Sequence, residues 1–192
     1  MKKSIIFPGQ GSQIVGMGKD IYDNFLSGKE VFQEVDESLS QNLSRLMFEG
    51  PIEELTQTQN AQPAIMAVSM AIIRVLEKEY SFNISKNIQF FAGHSLGEYT
   101  ALAASKSLSI KEVAKLLKKR GESMQNAVLS KDTSMAAMIG ANIETVNSIL
   151  ENIKDKHVLE IANYNTINQI VISGDTIAVD QAITKAKENN IR

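Results

Sequence analysis

The stretch Gln89-Phe90-Phe91-Ala92-Gly93-His94-Ser95-Leu96-Gly97 decides the fold: an apolar run, a serine between two glycines, then the start of a helical pattern. A short apolar run closed by glycine reads as a buried strand. G-x-S-x-G directly after a strand and before a helix is the nucleophile-elbow arrangement, and this composition predicts only about 0.06 chance occurrences of it. The glycines have a physical reason: a tight strand-to-helix turn strains the serine backbone, and small neighbours let the adjoining chain pass close. Ser95 would then project its hydroxyl from the top of a sheet. The helix after it aims its N-terminus at the same spot, so the amide of Leu96 is a candidate oxyanion donor. An ordinary glycine-rich turn is the plain alternative.

Toward the N-terminus, Lys3 to Phe7 is a second β-rich run, closed by Pro8-Gly9-Gln10-Gly11-Ser12-Gln13. A glycine-flanked loop at a strand's carboxyl end is where parallel sheets place ligands, and its Gln10 amide is a candidate second oxyanion donor. The loop lacks the lysine of a phosphate-cradling G-x-x-x-x-G-K-[ST] and does not match G-x-G-x-x-G, which argues against a nucleotide site. Both runs are predicted as buried parallel strands. Between them lie helical patterns at about Glu30 to Leu39 and from Pro63 to Tyr80, with Pro63 suited to a first helical turn. The second is apolar almost all round and is expected to pack inside the domain. Strand, helices, strand, helix is an α/β order.

Toward the C-terminus, a helix is expected from about Leu96 to Ala104. Another, opened by a capping box of Ser109 and Glu112, runs to about Ala127. Asp132 to Ser134 reads as a junction. Beyond it come strand Met135 to Ile139, helix Ile143 to Ile153, strands Val158 to Ala162 and Ile170 to Ser173, and helix Ile177 to Asn189. The boundary therefore falls between residues 131 and 132, giving domains 1–131 and 132–192. The second, β-α-β-β-α, needs one more strand to complete a split βαβ or ferredoxin-like unit, and Ile191-Arg192 stands where that strand would begin.

Arg120 is the most informative single charge. At about 100° per residue it falls inside the apolar stripe of Val113, Leu116, Leu117 and Met124, while Lys111, Lys115, Lys118, Lys119 and Glu122 fall on the opposite face. An inward guanidinium must be paired, and its planar fork suits a carboxylate held at two points. A structural salt bridge to an internal Asp or Glu is the alternative. Of the two histidines, His94 adjoins Ser95 in an elbow whose neighbouring side chains point apart, so a structural hydrogen bond suits it better than a role as base. His157 lies in a Lys/Asp-rich turn and reads as a solvated loop residue. Ser95 thus has no convincing general base among these residues.

Composition excludes other classes. The 192 residues include 20 Lys+Arg against 22 Asp+Glu, a net charge of -2, so the broad positive field of non-specific nucleic-acid binding is missing. Cys 0 rules out disulfides, thiolate metal clusters and a cysteine nucleophile in this sequence, and fits a reducing compartment. No H-E-x-x-H or acidic cluster suggests a metal. The most apolar long segment, Ala61 to Leu76, carries Gln62 and Arg74 and falls short of a membrane span. Lys2 and Lys3 before Ile5, Ile6 and Phe7 resemble the start of a signal peptide, but Pro8 and Gly9 end the apolar run. The expectation is a soluble cytoplasmic protein with no membrane, metal or nucleic-acid partner.

Phe7-Pro8-Gly9-Gln10-Gly11-Ser12-Gln13, Gln62-Pro63-Ala64, Gly93-His94-Ser95-Leu96-Gly97-Glu98-Tyr99, and Arg120-Gly121 with Met124-Gln125 together resemble the malonyl-CoA:acyl carrier protein transacylase family, in order and spacing across essentially the whole chain. The resemblance implies a parallel-sheet, α/β-hydrolase-like large domain with a ferredoxin-like small subdomain, C-terminally truncated. It implies that Ser95 takes a malonyl group from malonyl-CoA and passes it to the phosphopantetheine thiol of acyl carrier protein in fatty acid biosynthesis, without a cofactor. Oxyanion amides then fall to Leu96 and Gln10, and the malonyl carboxylate to Arg120. The family's catalytic histidine lies shortly after the last strand of the small subdomain, beyond Arg192, so the chain by itself is expected to hold a nucleophile without its base. Two other readings stay open: a non-catalytic fragment of a split or decayed acyltransferase, and a serine esterase of the α/β-hydrolase type.

Overall fold

The computed structural model describes residues 2–127, 132–154 and 156–192. The chain divides into two compact units, Met1–Ala127 and Val128–Arg192. The expected boundary at 131/132 touches residues 128–131, which lie outside the described residues.

The first unit contains, in order, β1 (Ser4–Phe7), α1 (Lys19–Asn24), α2 (Leu26–Leu39), α3 (Leu43–Glu49), α4 (Ile52–Thr56), α5 (Thr58–Lys78), α6 (Ile84–Asn87), β2 (Phe90–Gly93), α7 (Leu96–Ala104) and α8 (Ile110–Asn126). The two strands pair in parallel, from Ser4 opposite Phe90 to Phe7 opposite Gly93. Parallel pairing brings the carboxyl ends of both strands, and hence the Pro8–Gln13 loop and the Ser95 turn, to the same edge. Within this chain Phe7 is buried and Ile5 partly so, both turned toward the helices, while Ile6 is 75% exposed and Phe90 points to solvent.

α5 is the spine of this unit. Its Ala64, Ile65, Met66, Ala67, Met70 and Ala71 are buried in a core shared with Phe32 and Val35 of α2, Leu96 of α7 and Leu117 of α8. It begins at Thr58, so Pro63 lies inside the helix rather than in its first turn. The early start has an anchor: buried Asn60 donates through Nδ2 to the Glu54 carbonyl (3.0 Å), and Pro63 leaves only the Gln59 carbonyl without its ladder donor. α5 packs inside the unit as expected, with Ile72 45% exposed in this chain. The Ser109–Glu112 capping box forms as expected and opens α8.

The second unit contains β3 (Thr133–Ile139), α9 (Ile143–Glu151), β4 (Leu159–Thr166), β5 (Gln169–Asp175) and α10 (Thr176–Glu188). Its antiparallel sheet has the order β3-β5-β4, so the β-α-β-β-α order of the sequence is present. Thr133 and Ser134, expected in a junction, already belong to β3 and pair with Asp175 and Gly174. The core is Met138, Val146, Leu150, Leu159, Ile170, Ile172 and Val179. At the end of the chain, Arg192 exchanges both backbone hydrogen bonds with Ile139 of β3.

Candidate active site

The turn between β2 and α7 has the geometry that its glycines call for. Ser95 sits at φ 55° and ψ -110°, a conformation that side-chain-bearing residues rarely adopt. A Cβ on Gly93 would fall on the backbone of Gly97 and Glu98, and one on Gly97 would meet the carbonyl oxygens of Phe7 and Pro8. The chain therefore folds back on itself at van der Waals contact. The His94 N–H donates to the Phe7 carbonyl (3.1 Å), the Gly97 N–H to the His94 carbonyl (2.9 Å) and the Glu98 N–H to the Ser95 carbonyl (3.1 Å). Ser95 is left exposed at the mouth of α7 while Leu96, the first residue of the helix, is fully buried. Its N–H belongs to the first turn, whose donors have no partner within a helix.

The Pro8–Gln13 loop rests on this turn. A Cβ on Gly9 would lie 2.6 Å from His94 Nδ1, so the loop backbone and the His94 ring are already in contact. Gln10 follows immediately, and its side chain reaches Thr58 Oγ1 at the start of α5 (Nε2 to Oγ1 3.4 Å). Gly11 adopts φ 112°, and its N–H donates to Gln13 Oε1 (2.9 Å), which holds the loop in its tight path.

Arg120 comes from α8. That helix crosses α5 at Gly121, where an added Cβ would overlap the Gln59 backbone and stand 2.8 Å from the carbonyl carbon of Thr58. The close approach sets Arg120 beside Gln62, which is fully buried. Arg120 Nη1 donates to Gln62 Oε1 (2.7 Å), and Nη2 donates to Ser95 Oγ (2.9 Å). The guanidinium carbon lies 5.8 Å from the ring centroid of Tyr99, and Gln62 Nε2 faces Met124 Sδ at 3.4 Å. Three elements thus converge on one cation. Among the described residues Arg120 has no Asp or Glu ion-pair partner, so the internal salt bridge weighed for it is replaced by a neutral amide and the serine hydroxyl.

Three expectations need correction. Arg120 is half-buried rather than enclosed in an apolar stripe, because the buried ridge of α8 runs through Ile110, Val113, Ala114, Leu117 and Gly121 while Leu116 (45%) and Met124 (46%) stay open to solvent. Lys118 is not a freely solvated member of the basic face. Its Nζ donates to Gln41 Oε1 (2.7 Å) and Asn60 Oδ1 (3.1 Å), and burial pushes the ammonium below its ordinary range against the opposing pull of Glu122 and Glu54. His157, read as a solvated loop residue, is half-buried with Nδ1 3.7 Å from Asp175 Oδ2. The contacts of Gln62, Tyr99 and Met124 at the site were not anticipated. The available signals were an amide inside an otherwise apolar helix, at Gln62, and the place of all three residues in the motifs quoted above.

Among the described residues no group of three or more His, Cys, Asp or Glu gathers as a metal ion would require, and no helix is long and apolar enough to cross a membrane. The acyl transferase domain profile matches residues 5–192. The malonyl CoA-acyl carrier protein transacylase of Bacillus subtilis (strain 168) is 44% identical over 192 residues, covering 100% of this chain and 59% of that protein. The acyl-carrier-protein-S-malonyltransferase of Bartonella henselae superposes with a TM-score of 0.93 at 47% identity, over 100% of this chain and 61% of its own. A malonyl-transacylase solved in complex with its type II PKS acyl-carrier protein superposes with a TM-score of 0.89 at 33% identity, over 100% and 61%. The chain thus spans about three fifths of the relatives it matches.

Proposed function

The chain belongs to the acyl transferase domain family, and from that premise we propose that it carries the nucleophile and acyl-binding part of a malonyl-CoA:acyl carrier protein transacylase of fatty acid synthesis. Ser95 is the nucleophile. Its Oγ attacks the thioester carbonyl of malonyl-CoA, the carbonyl oxygen becomes an oxyanion held by the amides of Leu96 and Gln10, and the intermediate collapses as the C–S bond breaks, the proton lost from Ser95 leaving on coenzyme A as its thiol. The malonyl ester on Ser95 is then attacked by the phosphopantetheine thiol of acyl carrier protein, whose proton passes to the departing Ser95 oxygen and regenerates the hydroxyl. No cofactor enters either half-reaction. Units 1–131 and 132–192 correspond on this reading to the N-terminal portion of an α/β-hydrolase-like large domain and to a ferredoxin-like small subdomain, in a cytoplasmic enzyme.

The observation that carries this reading is Arg120 Nη2 at 2.9 Å from Ser95 Oγ, with no carboxylate partner among the described residues. A guanidinium that close to the nucleophile suits an acyl group whose carboxylate lies one methylene from the reacting carbonyl, as in malonyl, and has nothing to offer a plain acetyl group. Arginine only donates, so it steadies a developing Ser95 alkoxide without removing its proton. Held by a donor, Ser95 is expected to load slowly, since a serine with no group to take its proton reacts several orders of magnitude more slowly. Prolonged incubation with malonyl-CoA followed by intact-mass measurement should reveal one malonyl adduct, mapped to Ser95 and missing from Ser95→Ala. An adduct elsewhere, or equal acquisition of acetyl from acetyl-CoA, would overturn the assignment.

A further inference from the structure

We propose that Gln62 is a specificity-determining positioning residue, which anchors Arg120 while leaving its charge uncompensated for the carboxylate of the incoming acyl group. The inference rests on the function proposed above. Arginine presents donors only, so the amide oxygen of Gln62 faces it and the amide nitrogen is turned to Met124 Sδ, a weak acceptor. A fully buried side chain bonded on one side to a thioether is a poor use of hydrogen-bonding capacity if anchoring were its whole task. Glutamate has the same length, lacks the amide nitrogen that meets only sulfur, and would grip the guanidinium through a charge-assisted bond about twice as strong. It would also neutralise the cation. The neutral amide therefore separates two tasks that a carboxylate would merge: it holds one nitrogen in place, and the positive charge stays available at the other.

The geometry supports that division. Nη1 is committed to the buried amide, whereas Nη2 points into the exposed mouth of the site and rests on Ser95 Oγ. A carboxylate arriving with the acyl group meets a guanidinium that is already aimed, with only the weaker contact to a neutral hydroxyl to exchange. The close crossing at Gly121 fixes α5 and α8 at the separation where the 2.7 Å bond forms, so the position of Gln62 is set by backbone rather than by a flexible side chain.

The test compares binding of malonyl-CoA and acetyl-CoA by calorimetry to the full chain and to Gln62→Glu and Gln62→Met. Both ligands share the coenzyme A moiety, so a purely structural role for Gln62 would weaken them together. The expected result is a malonyl preference of about tenfold in the unmodified chain that falls toward unity in Gln62→Glu with an unchanged melting temperature. Gln62→Met, which keeps the volume and loses the tether, should lose part of the preference. If Gln62→Glu retains the full preference, the inference is overturned while the proposed function stands. If the unmodified chain itself shows no preference, the function reading fails and the inference falls with it. Should Gln62→Glu not fold, Gln62→Met decides: full retention overturns the inference and partial loss supports it.

Discussion

Ser95 and Arg120 lie 25 residues apart, yet each is held by backbone that tolerates no added atom: Gly93 and Gly97 around the serine, Gly121 beside the arginine. Gly97→Ala would drive a methyl group into the Phe7 and Pro8 carbonyls, which cannot retreat without opening the β1 end. A loss of about 1–3 kcal/mol in urea unfolding is expected, together with loss of Ser95 acylation. Arg120→Ala should reduce malonyl loading by about two orders of magnitude with acetyl loading unchanged, read by intact mass in parallel reactions. Unchanged selectivity would remove the arginine from the site. The serine was legible in the sequence because the elbow is a local device, three residues of backbone with glycines at fixed offsets. The partner of Arg120 was not. A helical wheel reports the direction of a side chain but not what meets it, and in place of the internal Asp or Glu weighed as the alternative partner stands an amide 58 residues away.

Between elements, the α5–α8 crossing is the contact on which the site depends. Gly121→Ala should push the helices apart, cost about 1–3 kcal/mol and weaken malonyl selectivity in the same variant, because Arg120 moves with its helix. A stability loss with selectivity intact would show that the crossing serves the core alone. The N-terminus of α8 offers a separable control. Ser109→Ala removes the cap and is expected to cost about 1 kcal/mol by denaturant unfolding. The Ser109 hydroxyl, followed by its backbone N–H, holds the Glu112 carboxyl below its ordinary 4.5. A depressed carboxyl contributes stability that is complete above pH 4.5 and is lost as pH falls through the lower folded-state value. Glu112→Gln should accordingly flatten that part of the acid limb of the stability curve; an unaltered limb would contradict the assignment. The capping box could be read directly because it is a four-residue pattern. Pro63 misled because its fit to a first turn is a statistical preference, overridden here by Asn60 and its bond to the Glu54 carbonyl.

Among the described residues there are two cores with no residue in common, one centred on α5 and one on β5. Ile170→Ala opens a cavity among Met138, Leu150, Leu159 and Ile172 and is expected to cost about 2–5 kcal/mol in the unit that contains it. Hydrogen exchange should register the loss across β3, β4 and β5 and leave α5 amides protected as before; a uniform loss in both units would refute separate cores. The order of the five strands, the β-α-β-β-α pattern of the second unit, and the strained turn that holds Ser95 between two glycines follow from sequence alone, because periodicity, caps and glycine spacing are local properties of the chain, whereas the short helices α1, α3, α4 and α6 were not legible in it. Tertiary structure alone decided the rest. It withdrew Lys118 from the solvated face and set Gln62 against Arg120. Each of those depends on which surfaces meet across tens of residues, and a buried hydrogen bond is defined by its partner, which no local pattern encodes.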